Sequence, residues 1–444
     1  MSRRGAALAA AFLALLALGA AVLPAGLSAA QRPRWDTRVF AHVGSPGFPA
    51  HAYVRPDGQV FEGTYVNPAG DSLPSKIFDY SSEGALLRSW TMPGQDLSGE
   101  HGVQVATSDA AGRLVLLDHT PPRAVILDPA TGSFSAYADF PPGSVPNYAV
   151  WLPDGSLLVS DYAQPIIWRV PAGGGTPTQW LIDPRLAGNG FGTTGLALTP
   201  DHGSLLVDQQ FAGEAAPRGA IFSVALNANG GPVGGLTQIW QSQPLDLPDG
   251  IAVAQSGRIY VALLGPNQIA TLAPDGTEQE RFPTLPITGE NGSTVPFDQI
   301  SSVAFLGARL ITANQSYVAG NAEHQVLHDV ETGEPGAAEL IPESAGRGRR
   351  VGDDITPPRL RHVRVRHRGH RARVLFAVDE KATVTVRVFH KGHVVRGARR
   401  KFAGGRGTLK LPGRFRPGRY RLVVRAVDPS ANASRAVRRG LRID

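Results

Sequence analysis

The chain has 444 residues and no cysteine, which excludes disulfides, thiolate metal sites and cysteine nucleophiles. Its 52 Gly and 36 Pro are spread among short apolar runs and 42% of residues are hydrophobic, a pattern of turns in an all-β fold rather than of disorder. The formal charge of +7 is unevenly divided: from Ile355 to Asp444 there are 25 Lys and Arg against 4 Asp and Glu, a surplus of +21, which leaves −14 on residues 1–354.

The first predicted element is an export signal over residues 1–30. Arg3 and Arg4 precede an apolar run from Ala6 to Val22, and Ser28, Ala29 and Ala30 supply small residues for cleavage before Gln31. The run is Ala-rich and ends at Pro24, which separates it from a membrane anchor. The expectation is a secreted or cell-surface protein with no membrane span in the mature chain.

A repeat follows, from about residue 45 to 340, within an expected propeller domain of residues 31–343. Each copy has an apolar strand, a turn with Gly, a second strand often ending in Asp or Asn, and a further hairpin. The turn glycines Gly58, Gly112, Gly155, Gly203, Gly257 and Gly307 are 54, 43, 48, 54 and 50 residues apart. That interval is the length of one four-stranded propeller blade, so the repeat predicts a six-bladed β-propeller. Asp36 to Val43 lies ahead of the first complete copy and is expected to pair with the last blade and close the ring. The Gly/Arg-rich stretch 344–356 reads as a linker. Residues 357–444 carry six alternating strands, Arg359–His367, Arg373–Val378, Thr383–Phe389, Gly407–Leu411, Arg419–Ala426 and Ala436–Ile443, expected to form a basic immunoglobulin- or fibronectin-like β-sandwich. Tyr420 stands where such folds place a corner tyrosine.

Propeller blades aim the starts of their innermost strands at one mouth of the central channel. The residues expected to converge there are His51, Glu100, His101, Asn147, Thr194, Asp249, Asp298 and Gln299. Glu100 and His101 are neighbours on a strand, so at most one of them enters the channel. Carboxylate and amide oxygens suit Ca²⁺ better than a transition metal. Asp161, Asp208 and Asn314 end second strands and are expected to form turn hydrogen bonds. There is no Gly-x-Ser-x-Gly elbow and no His-Glu-x-x-His zinc motif.

Two stretches carry a family resemblance. Leu247 to Val253 (Leu-Pro-Asp-Gly-Ile-Ala-Val), with Pro274-Asp-Gly276, resembles the Pro-Asp-Gly blade of the gluconolactonase/regucalcin family. Val145 to Val150 (Val-Pro-Asn-Tyr-Ala-Val), with Val159-Ser-Asp161, is similar to that family's Asn-bearing blade. The resemblance implies a divalent cation, Ca²⁺, at the channel mouth, with Asn147 and Asp249 as ligands and Asp249 as general base in lactone hydrolysis. It departs at two places. Thr194 stands where the family has its second Asn, and Ala50-His51 stands where it has a Glu. Metal ligands on this reading are Asn147, Asp249 and Thr194. Two functions follow as expectations: a lactone or ester hydrolase with Asp249 and Asn147 as its catalytic pair, or a non-catalytic propeller that binds a small molecule or protein at the same mouth. The sandwich is expected to bind an anionic cell-wall polymer or the acidic propeller itself, and not nucleic acid. Its arginines alternate along strands, and its aromatics are only Phe376, Phe389, Phe402, Phe415 and Tyr420.

Overall fold

The computed structural model describes residues 32–65, 73–188, 192–211, 217–345, 357–428 and 434–443. The export signal and most of the linker lie outside them. Six four-stranded antiparallel sheets follow one another along the chain, as the repeat predicts. Five are simple meanders, and their innermost strands are Phe48–Val54, Val103–Ser108, Pro146–Trp151, Thr193–Leu198 and Pro248–Val253. The sixth joins Ile300–Leu306, Arg309–Asn314 and Val326–Glu331 to Thr37–His42, which pairs antiparallel with Val326–Glu331. The ring therefore closes as expected, the first strand completing the sixth sheet at its outer edge.

The strands read as apolar runs because each blade is covered on both faces. All six residues of Val103–Ser108 are buried, as are all five of Leu157–Asp161. Neighbouring blades share cores. Tyr148, Leu158 and Ile167 pack with Leu196, Val207 and Phe222 of the next sheet. The first hairpins turn on left-handed glycines, Gly155 at φ 83° among them. In the fourth blade the left-handed residue is instead His202, at φ 56°, one place before Gly203.

After the last blade the chain crosses the far face of the ring. Gly336 N–H bonds the Gly307 carbonyl (3.0 Å) and Ala337 N–H that of Val253 (2.8 Å). Glu339 then receives the hydroxyls of Thr107 (2.5 Å) and Tyr53 (2.9 Å), and Ala345 is buried in the core of the second and third blades. This strap covers a cavity of about 740 Å³ lined by Ala52, Leu196, Ile251 and Val303.

The C-terminal residues form two further sheets around one apolar core. One has three strands (Leu360–Arg368, Arg371–Val378, Gly405–Lys410). The other has four, in the order His393–Phe402, Ala382–His390, Gly418–Val427, Val437–Ile443. Val384, Val386, Leu422 and Val424 point inward, while Arg387, Arg421 and Arg425 stay exposed. The Tyr420 hydroxyl donates to the Arg416 carbonyl at 2.9 Å, a corner bond of the kind expected from its position. His393–Phe402 makes a seventh strand beyond the six expected. It is an edge strand with exposed Val394 and Val395 and carries no inward alternation to announce it. Among the described residues no helix is long and apolar enough to cross a membrane.

Candidate active site at the channel mouth

The geometry of the mouth is set by irregular strand starts. The ladder slips between Pro146 and Ala149, between Thr193 and Leu196, and between Pro248 and Ile251. At such a bulge two residues oppose one, and the extra residue is freed from pairing and re-aimed. Asn147, Thr194 and Asp249 occupy these three places in consecutive blades. The inner strands approach closely here. A Cβ on Gly195 would stand 3.1 Å from the Asp249 carbonyl oxygen, and one on Gly250 only 2.3 Å from the Tyr148 hydroxyl. Tyr148 thus spans the axis from the third blade. Its hydroxyl reaches the Ser301 carbonyl at 3.3 Å and its ring meets His51 edge-on at 4.2 Å. It plugs the channel below the mouth.

Three carboxyls sit in this wall. Burial pushes Asp249 up to about 8, although part of its surface stays open. Burial also raises Glu62 to about 8, even though its Oε1 accepts the N–H groups of Ala50 (2.7 Å) and His51 (3.0 Å). Asp208 is raised by burial first and then by the charge of Asp249. Tyr148 is driven upward by burial and by all three carboxyls. At neutral pH a carboxyl in such a place keeps its proton unless a positive charge arrives.

Asn147 Oδ1, Glu62 Oε2 and His51 Nδ1 are left without a partner, while the Asp208 carboxyl and the Thr194 hydroxyl lie near one another without a well-formed hydrogen bond. Orphaned buried groups are costly, and hard oxygens of this kind suit a Ca²⁺-like ion. Among the described residues, however, no three His, Asp or Glu side chains come close enough to share one metal. What the mouth offers is one carboxyl, Asp249, with the amide of Asn147 and the hydroxyl of Thr194 on neighbouring inner strands, and not a cage of carboxylates.

The remaining residues expected at the mouth are placed as follows. His51 is buried, and burial lowers it to about 3, so its ring is neutral. His101 is also buried, with its ring nitrogens at the Gly99 and Leu73 carbonyls (3.0 and 2.8 Å), so it ties two loops together. Glu100 is exposed and acts on the hydroxyl of Tyr65. Asp298 accepts from His324 at 2.9 Å, and Gln299 Oε1 accepts the Val318 N–H at 2.5 Å. Asn314, expected to bond its own turn, instead joins two loops, accepting Asp298 N–H (2.6 Å) and donating to the Pro296 and His324 carbonyls (3.1 and 2.8 Å). Asp161 makes the turn bonds expected of it, from Ala163 N–H (3.0 Å) and Gln164 N–H (3.2 Å). Asp208 does not, because it faces the buried side of the bulge at Thr194. Sequence reasoning also missed Glu62 and the rim tyrosines Tyr65, Tyr162 and Tyr317. The one available signal was a Glu inside the apolar strand Val60–Tyr65, in the blade whose expected Glu is absent.

A sequence profile of the SMP-30/gluconolactonase/LRE-like region matches residues 64–313. No curated protein matches. The solved structure of regucalcin, a calcium-binding protein from Agrobacterium tumefaciens strain C58, is similar at 16% identity over 69% of this chain and 98% of that one, with a TM-score of 0.49. Virginiamycin B lyase from Staphylococcus aureus is similar at 15% identity over 66% of this chain and 98% of that one, with a TM-score of 0.44.

Proposed function

The chain belongs to the SMP-30/gluconolactonase/LRE-like family, and from that premise we propose that its channel mouth hydrolyses a lactone or ester. The observation that carries this reading is Asp249, held with its carboxyl raised to about 8 at a bulged inner-strand start like those that carry Asn147 and Thr194 in the two preceding blades. When ionised, Asp249 takes a proton from water as the water oxygen bonds to the substrate carbonyl carbon. The C–O bond to the leaving alkoxide then breaks, and Asp249 returns the proton to that oxygen. Asn147 orients the carbonyl, and Tyr148 closes the channel beneath it. A divalent cation, Ca²⁺, would be held by Asn147, Thr194 and Asp249 and would supply polarisation of the carbonyl.

Calorimetric titration of Ca²⁺ into the protein and into Asp249→Ala, beside hydrolysis of simple γ- and δ-lactones, tests this. Binding and turnover that both vanish in the variant are expected. No binding up to millimolar Ca²⁺ and no turnover would overturn the reading. That outcome would favour a non-catalytic ligand-binding propeller, which the neutral His51 in place of a carboxylate already favours.

The protein is exported on this reading, with residues 1–30 removed. The sandwich, read as immunoglobulin-like, serves as a tether to an anionic wall polymer. Arg361, Arg364, Arg366, Arg371 and Arg373 stand exposed on one of its sheets. Removing residues 357–444 is expected to abolish retention on isolated cell walls in a sedimentation assay, and salt is expected to weaken retention of the intact chain.

A further inference from the structure

Backbone strain is concentrated on one side of the mouth. Among the described residues, ten non-glycine positions have left-handed φ. Six of them, Leu245, Leu247, Asn267, Ile287, Gln299 and Ser316, lie in the loops that lead into the fifth and sixth blades or join their second and third strands. Ile287 holds φ 74°, a genuine outlier for a β-branched residue. Strained positions persist only where the surroundings over-determine them, and they gather at ligand sites.

Here the surroundings are a continuous set of hydrogen bonds. Ile287 N–H bonds the Pro266 carbonyl (2.7 Å), and Asn267 Nδ2 bonds the Ile287 carbonyl (2.9 Å). Gln299 N–H bonds Asn267 Oδ1 (2.7 Å), and Val318 N–H bonds Gln299 Oε1 (2.5 Å). Leu264 N–H bonds the Leu247 carbonyl (3.2 Å), which joins the loop before Asp249 to the same network.

This stiff framework presents apolar side chains to water. Leu245 is 60% exposed, Leu285 63%, Ile287 75% and Val318 80%. The amide of Asn267 and the Oε1 of Gln299 are spent inside the wall, so Leu245, Leu285, Ile287 and Val318 are its most exposed apolar groups, with Thr284 and Thr288 between them. A flexible loop would fold such side chains inward; a strained, hydrogen-bonded one cannot. The wall is continuous with the reaction site, because Leu247 lies two residues before Asp249 and Gln299 directly precedes the sixth inner strand.

We infer that this wall on the fifth and sixth blades binds an aliphatic substituent of the substrate, so that the site takes lactones or esters bearing an alkyl chain and not polyhydroxylated ones. The assignment of the substituent stands on the loops; that the molecule is a lactone or ester rests on the hydrolase reading. The reacting carbonyl sits at Asp249 and Asn147, while the chain lies outward along Leu245, Ile287 and Val318. Burying each methylene against the wall raises affinity by about twofold to fourfold.

The test is calorimetry of the full-length protein with γ-alkyl-γ-lactams of two to eight chain carbons, which mimic the lactone without being hydrolysed. Affinity is expected to rise about twofold to fourfold per methylene. In the double variant Ile287→Asn and Val318→Ser the dependence is expected to flatten; asparagine tolerates the left-handed backbone and both side chains are exposed. Affinity indifferent to chain length, or the same slope in the variant, would overturn the inference. Hydrolysis of the matching lactones is read separately. Chain-dependent lactam binding without turnover keeps the wall and removes the hydrolase, whereas turnover with flat binding does the reverse.

Discussion

Replacing Asp249 with asparagine is expected to lower kcat/KM for lactone hydrolysis about 10²–10⁴-fold, the usual worth of a positioned general base. The same change is expected to raise thermal stability in cation-free buffer at pH 8 and above. The sign follows from the direction of the shift. The carboxyl titrates near 8 in the folded chain against 3.8 for an ordinary aspartate. Below about pH 4 it is neutral in both states and its contribution to stability is fully present. As pH rises through 8 that contribution is lost, because the folded site must accept a charge that the unfolded chain accepts freely. Asparagine carries no charge, so the gap in Tm between variant and parent should be absent near pH 4 and open towards pH 9. Scanning calorimetry across that range reads it, at about 2–4 °C per kcal/mol for a chain of this size. A gap that does not change with pH would mean that Asp249 ionises as it would in water. In the parent, hydrolysis should climb with pH through the same region, and a bound divalent cation should move the climb to lower pH.

Trp151→Ala is expected to cost about 3–5 kcal/mol, the range for emptying a fully buried large aromatic site. Trp151 is 1% exposed, and its Nε1–H reaches across to the Ser108 carbonyl of the preceding blade at 2.8 Å. Its ring meets Tyr137 edge-on at 6.4 Å and shares a core with Ala345 of the strap. The alanine leaves a cavity between two blades, a Ser108 carbonyl left with the longer bond from the Thr107 hydroxyl (3.3 Å), and a loosened strap end. Urea unfolding measures the loss as a lower midpoint at constant slope. Trp151→Phe keeps most of the volume and gives up the hydrogen bond, so its cost should fall to about 1–2 kcal/mol. A small effect of the alanine variant would mean that the two blades re-pack freely across their shared core.

The ring was legible in the sequence because its signals are local. A Gly-containing turn at blade-length intervals counts the sheets, and an unmatched strand ahead of the first copy implies closure in the last. Asp249 and Asn147 were legible because short, recognisable strand starts carry them. What escaped depends on contacts between blades. Nothing in Leu205-Leu-Val-Asp208 distinguishes Asp208 from Asp161, yet Asp161 caps a turn at Ala163 and Gln164 while Asp208 lies buried against Thr194. Glu62 gains its character from Ala50 and His51, the residues that replace a carboxylate in the family pattern. The strap has no periodicity to announce it, since it is held by single backbone bonds and by Glu339. His393–Phe402 escaped for a similar reason, because an arginine-rich edge strand lacks the alternation by which strands are read.

The last blade has one further consequence, for the order in which the molecule can be made. Thr37 finds its partner in Val330, so the strand that locks the ring is among the first synthesised and waits longest. Until Val326–Glu331 is made the growing propeller carries only the loose strand Thr37–His42, and once it is made its edge stays bare until that strand docks. The entropy of closing so long a loop grows only slowly with its length. At high concentration, however, a neighbour's strand competes for the same edge, and an exchanged pair of rings satisfies every hydrogen bond that a single ring does. Fidelity of assembly therefore rests on dilution and timing, and less on any difference in contacts between the closed monomer and its swapped relatives.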